Sequence, residues 1–211
     1  MKFNAVIFDL DGTLVHTTPE YRYKVTTQAL NDFDIQVHNR LIDRFWFESR
    51  REEIIREHFR LEPDLFWQSY KKYEDLEFRK QCISVYNDID FISDLKRSGF
   101  KLGIVTGSPP FIADIEIDLI GKHNFNSIVL QSLHKGKPKP HPGGIEECLN
   151  KLGLTNKEVV FVGNSDEDIL AAQNAKVLDI MIDRKEHEFP EITPSYTIES
   201  LYELRQILGI K

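Results

Sequence analysis

The apolar run Phe3-Asn4-Ala5-Val6-Ile7-Phe8 stops abruptly at Asp9-Leu10-Asp11-Gly12-Thr13. The run is β-branched and aromatic, which predicts a strand covered on both faces, as in a parallel sheet. Two carboxylates at the end of a buried strand cannot be core filler, because burying unpaired charge is expensive. The chain therefore has to fold so that this strand end opens onto a site that uses negative charge.

From Asn87 onward, strand and helix signals alternate. Asp88 to Ser98 reads as a helix with Gly99 at its C′ position. Lys101 to Val105 reads as a strand ending in Thr106-Gly107-Ser108, followed by a helix over Pro109 to Ile120. Ser127 to Leu130 is a strand, Pro142 to Leu152 a helix closed by Gly153, and Val159 to Val162 a strand ending in Gly163-Asn164-Ser165. Asp166 to Ala175 is a helix, Val177 to Ile182 a strand and Ile198 to Leu208 a last helix. Such alternation predicts an α/β protein with a Rossmann-like, doubly wound parallel sheet.

Between residues 15 and 86 the pattern contains no convincing strand. Thr18-Pro19-Glu20 reads as an N-cap, a proline at N1 and an acidic first turn. A second helix is expected from Arg40 to Phe59, and a third from near Pro63 to Leu76. The expected organisation is a core of 1–14 and 87–211, with 15–86 inserted after the first strand as an α-helical cap. The aromatics Phe45, Trp46, Phe47, Phe66, Trp67, Tyr70 and Tyr73 are expected to fill the core of that insertion. Arg50, Arg51, Arg56 and Arg60 lie among Glu52, Glu53 and Glu57, a pattern that predicts salt-bridged solvated faces.

Bulk properties narrow the function. A formal net charge of −7 argues against a nucleic-acid partner. No stretch reaches the roughly 18 apolar residues of a membrane span. Two cysteines are too few for a disulfide framework, so a cytoplasmic setting is expected.

Open α/β sheets bind ligands beyond the carboxyl ends of their strands. Asp9 and Asp11, Thr106 and Ser108, and Asn164 and Asp168 all follow strands, and Lys137 lies in a loop-like stretch. Carboxylates with a further oxygen ligand suit Mg²⁺. A hydroxyl and backbone N–H groups beside a lysine suit the oxygens of a transferring phosphoryl group.

Phe8-Asp9-Leu10-Asp11-Gly12-Thr13-Leu14 resembles the first motif of the haloacid dehalogenase-like superfamily. Val105-Thr106-Gly107-Ser108 resembles its phosphate-binding second motif, and Lys137-Pro138-Lys139-Pro140 its third, with Lys137 as the matching cation. Gly163-Asn164-Ser165-Asp166-Glu167-Asp168 resembles its acidic fourth motif. The helical insertion resembles the small cap of the phosphoglycolate phosphatase and β-phosphoglucomutase branch.

The resemblance implies a Mg²⁺-dependent phosphatase of a small phosphorylated metabolite. Asp9 would be the nucleophile that carries an aspartyl-phosphate, and Asp11 the general acid/base. Thr106, Gly107, Ser108 and Lys137 would bind phosphate. Asp9, the Asp11 backbone carbonyl, Asn164 and Asp168 would hold the metal. Asn164 stands where the family has an acid; its amide oxygen can still ligate Mg²⁺ but brings no charge. A phosphomutase would use the same residues, and a non-catalytic phosphate-binding module of the same fold is the reading from another class.

Overall fold

The computed structural model describes residues 3–131 and 138–210. Its elements divide into two compact units. One is formed by the chain up to His16 and from Ser84 onward; the other is Thr17–Ile83.

The first unit is built on a six-stranded parallel sheet. Its strands are β1 (Ala5–Phe8), β4 (Lys101–Thr106), β5 (Ser127–Leu130), β6 (Val159–Gly163), β7 (Leu178–Ile182) and β8 (Tyr196–Ile198). Their spatial order is β5-β4-β1-β6-β7-β8. β1 is central and every residue in it is buried, which explains its unbroken apolar sequence. Phe8 pairs with Ile104 on one side and Val162 on the other, so β1, β4 and β6 end close to one line.

The helices of this unit are α6 (Phe91–Arg97), α7 (Pro110–Ile120), α8 (Gly143–Leu152), α9 (Asp166–Asn174) and α10 (Leu204–Leu208). Ile145, Cys148 and Leu149 of α8, with Ala171 and Ala172 of α9, pack with Ala5, Ile7, Val105 and Phe161 of the sheet.

The second unit is helical. It contains α1 (Pro19–Asn31), α2 (Asn39–Phe47), α3 (Arg51–Glu57), α4 (Pro63–Tyr73) and α5 (Leu76–Cys82). Phe45, Phe59, Phe66 and Tyr70 are buried together, with Trp46, Trp67 and Tyr73 packed against them. Phe45 and Phe66 meet edge to face at 5.1 Å between ring centroids. Arg56 pairs with Glu52 and Arg50 with Glu53 along α3, as the charge pattern predicts.

The structure corrects several sequence expectations. Two short strands, β2 (Val15–Thr17) and β3 (Ile83–Val85), pair with each other in the segment expected to lack strands. Three residues of mixed polarity are too few for alternation to register. The helix expected over Arg40 to Phe59 breaks at extended Glu48. α6 begins at Phe91 rather than Asp88, whose carboxylate is instead taken up by Leu201 and Arg184. Ile198, expected to open a helix, ends the edge strand β8 opposite Ile182. The helical turns begin only after Ser200, which forms a capping box with Glu203. Thr18 occupies the N-cap of α1, but its side chain makes no cap hydrogen bond.

Candidate active site

Asp9 follows β1 directly, and its backbone N–H donates to Val162 O at 2.9 Å, continuing the sheet pairing. The chain then turns tightly: the N–H groups of Thr13, Leu14 and Val15 all donate to Leu10 O. Gly12 makes this possible with φ of 82°, a conformation costly for residues with a Cβ. A Cβ there would also lie 2.3 Å from Asn164 Nδ2, so the glycine lets the first loop pass close to Asn164.

Asp9 is buried. Its Oδ1 accepts from Lys139 Nζ at 2.6 Å, and the same ammonium donates to Asp168 Oδ1 at 2.5 Å. The Thr13 hydroxyl bridges Asn164 Oδ1 at 3.1 Å and, in a longer contact of 3.4 Å, Asp9 Oδ2. Asp168 is the third residue of α9, and its Oδ2 accepts from the N–H and the hydroxyl of Ser165, at 3.1 and 2.7 Å. That capping box fixes the carboxylate, leaving Oδ1 facing Lys139. Gly163 is required here as well, since a Cβ on it would sit 2.4 Å from Asp168 Cβ and Cγ.

Lys137 lies outside the described residues. The lysine that the structure sets against Asp9 is Lys139, two residues further on. The stretch holds two overlapping Lys-Pro-x-Pro matches, Lys137-Pro138-Lys139-Pro140 and Lys139-Pro140-His141-Pro142. Spacing to α8, which starts just after Pro142, is the signal that could have selected the second. The Lys139 loop is pinned by hydrogen bonds from Gln131 Nε2 to His141 O at 3.1 Å and from Asn174 Nδ2 to Pro140 O at 3.0 Å.

Thr106 is buried at the end of β4, on the same sheet edge as Asp9. Its Oγ1 accepts from the Ser108 N–H at 3.1 Å, which leaves the hydroxyl proton available for an acceptor outside the loop. Ser108, expected to bind phosphate, thus has its N–H engaged within the loop.

The electrostatics follow from burial. Asp9 is pushed up to about 7, first by burial and then by the Asp168 carboxylate, with Lys139 pulling it back. Burial alone would push the Lys139 ammonium down, but Asp168 and Asp9 more than offset it, and the net shift is upward. Lys139 thus stays charged between two acids. With all three ionised the buried cluster carries one excess negative charge, which a bound cation would offset. Among the described residues, no three His, Cys, Asp or Glu side chains gather as a metal cluster. A cation here would have to draw on neutral oxygens too, and the Asn164 amide and the Asp11 backbone carbonyl are of that kind. An all-oxygen set built on few carboxylates fits Mg²⁺.

The family model described as haloacid dehalogenase-like hydrolase matches residues 6–182. The chain belongs to that family. It is 26% identical over 217 residues to the pyrophosphatase PpaX of Halalkalibacterium halodurans, covering 100% of this chain and 99% of the relative. The solved structure of an HAD phosphatase from Thermococcus onnurineus superposes with a TM-score of 0.70 at 26% identity, covering 99% and 98% of the two chains. A protein from Haemophilus somnus 129pt, described as a predicted phosphoglycolate phosphatase, gives a TM-score of 0.72 at 23% identity over 98% of each chain. The haloacid dehalogenase-like chain is thus an enzyme, a hydrolase of the phosphatase kind, on a Rossmann-like parallel sheet.

Proposed function

We propose that this hydrolase is a Mg²⁺-dependent phosphatase of a small phosphorylated metabolite, working through an aspartyl-phosphate on Asp9. The observation that carries the proposal is the clamp of Lys139 between Asp9 and Asp168, at 2.6 and 2.5 Å. A buried ammonium held against a carboxylate at a strand end is what an anionic nucleophile needs to approach an anionic phosphoryl group.

An Asp9 carboxylate oxygen attacks phosphorus, and the bond to the leaving oxygen breaks in line. Asp11 donates a proton to that oxygen, then takes one from the water that attacks phosphorus next, releasing inorganic phosphate and free Asp9. Lys139, rather than Lys137, faces the transferring oxygens. The Thr106 hydroxyl proton and the Gly107 N–H complete their cradle. Mg²⁺, held by Asp9, the Asp11 backbone carbonyl and Asn164, would neutralise charge on the phosphoryl oxygens. Asp168 Oδ2 already accepts two hydrogen bonds and Oδ1 one from Lys139, which supports a role in orienting Lys139; the remaining acceptor site on Oδ1 would be its route to the metal. The Thr17–Ile83 unit would act as the cap that selects the leaving group.

Inorganic pyrophosphate and phosphoglycolate head the substrate panel, because relatives carry those names. The free, buried thiols of Cys82 and Cys148 support a reducing, cytoplasmic setting. The test is Mg²⁺-dependent release of phosphate from p-nitrophenyl phosphate and from that panel. Turnover is expected in the wild type and absent in Asp9→Asn. Acid-quenched mass spectrometry should find the phosphoryl group on the peptide containing Asp9. Wild-type turnover in Asp9→Asn would overturn the nucleophile assignment.

A further inference from the structure

Arg184 follows β7 by two residues, on the same sheet edge as Asp9, and neither the motif pattern nor the proposed chemistry uses it. Its side chain is 7% exposed. Nη1 donates to Asp88 Oδ2 at 2.8 Å, and Nη2 donates to Asp88 Oδ1 at 3.1 Å and to the Thr13 carbonyl at 2.7 Å. The guanidinium also lies 3.9 Å from the centroid of the Tyr86 ring. Asp88 is itself fixed by the Leu201 N–H at 2.8 Å and the Ser200 hydroxyl at 3.1 Å. A rigid fork therefore reaches the backbone of Thr13, the residue whose hydroxyl links Asp9 Oδ2 to Asn164 Oδ1.

We infer that Arg184 is a positioning residue: braced by Asp88 and Tyr86, it locks the Thr13 peptide so that one hydroxyl sets both the nucleophile and the amide ligand. The inference rests on the phosphatase reading for its catalytic consequence. A purely structural Arg184–Asp88 pair would tie chain segments together without touching the reaction. The contact to Thr13 O distinguishes the two roles. The planar fork makes all three hydrogen bonds at once, which the single-point ammonium of lysine cannot reproduce.

The variants are Arg184→Lys, Thr13→Val and the double mutant, each checked for folding by circular dichroism. The readouts are kcat and KM for p-nitrophenyl phosphate, Mn²⁺ affinity by electron paramagnetic resonance, and hydrogen exchange at Thr13, Leu14 and Val15. Arg184→Lys is expected to lower kcat and Mn²⁺ affinity about 10- to 100-fold, the usual cost of losing an outer partner of a ligand. KM should change by less than about threefold, since substrate contacts are untouched. Exchange at the three amides should quicken, and the double mutant should be no worse in kcat than Thr13→Val alone. Unchanged exchange and Mn²⁺ affinity in Arg184→Lys, or losses that simply add in the double mutant, would overturn the inference. If the wild type turned over no phosphate ester, the phosphatase reading would fail, while the exchange measurement would still decide whether Arg184 holds the loop.

Discussion

Replacing Lys139 by methionine removes the only positive charge from the Asp9–Lys139–Asp168 cluster and leaves two carboxylates facing each other in a buried space. The side chains are 3%, 8% and 1% exposed for Lys139, Asp9 and Asp168, so solvent screens little of the effect. Removing one partner of a buried ion pair typically costs roughly 3–5 kcal/mol, and here two acids lose the same partner. For a chain of this length that amounts to a drop of roughly 6–20 °C in Tm. The loss should depend on pH in a defined direction. Asp9 in the folded protein already lies at about 7, against an ordinary value of 3.8. A carboxyl raised by folding contributes stability that is fully present below its unfolded value and lost as pH rises through its folded value. Without Lys139 to pull it down, Asp9 moves further up. The Lys139→Met deficit is therefore largest near pH 8 and shrinks as the pH falls toward 4, where Asp9 takes a proton. Adding Asp168→Asn should recover part of the deficit at pH 8. The measurement is urea denaturation in EDTA at pH 5 and pH 8. Circular dichroism is the suitable signal, because Trp46 and Trp67 both lie in the Thr17–Ile83 unit and report on that unit. A Lys139→Met protein as stable as wild type at pH 8, or one whose deficit grows on acidification, would refute the reasoning. Lys137→Met is the companion control: loss of turnover there with turnover kept in Lys139→Met would return the catalytic role to Lys137.

Two further substitutions probe the same site. Asn164→Asp adds a charge to the oxygen set, so Mn²⁺ affinity by calorimetry should rise about tenfold, as ligand charge tunes such sites. Metal-free stability should fall in the same variant; no change in either quantity would show that Asn164 lies off the metal. Gly163→Ala places a methyl group 2.4 Å from Asp168 Cβ and Cγ, and should cost about 1–3 kcal/mol and most of the turnover. An alanine variant with wild-type melting and activity would mean that Asp168 can shift without consequence.

Much of this was legible in the sequence, for reasons specific to each residue. β1 announced itself because a strand covered on both faces needs an unbroken apolar run, and Asp9 because such a run cannot end in charge by accident. The parallel sheet then required Thr106 and Asn164 to lie at the same edge. Lys139 was harder, since two Lys-Pro-x-Pro matches overlap and only the start of α8 separates them. Thr13 stands within the first motif, but its bridge to Asn164 spans 151 positions and no local pattern encodes it. Arg184 and Asp88 were invisible: they are 96 positions apart, and each looks like an ordinary surface charge in its own segment. Periodicity reports what a segment buries, whereas a polar partnership across the fold depends on topology.

The paired strands β2 and β3 carry a consequence for how such a chain can change. Antiparallel hydrogen bonds flank the ribbon, with Thr18 N–H donating to Cys82 O at 2.8 Å and Tyr86 N–H to Leu14 O at 3.3 Å. The chain therefore leaves the sheet unit and returns to it at touching points, and lengthening what lies between adds only slowly to the entropy of closing that loop. Whatever lies between the two strands can lengthen, shrink or be exchanged without altering the register of β1 against β4 and β6. On the cap reading proposed above, the ribbon is a splice point: an exchanged insertion would bring a different specificity while Asp9, Lys139 and Asp168 stay in place.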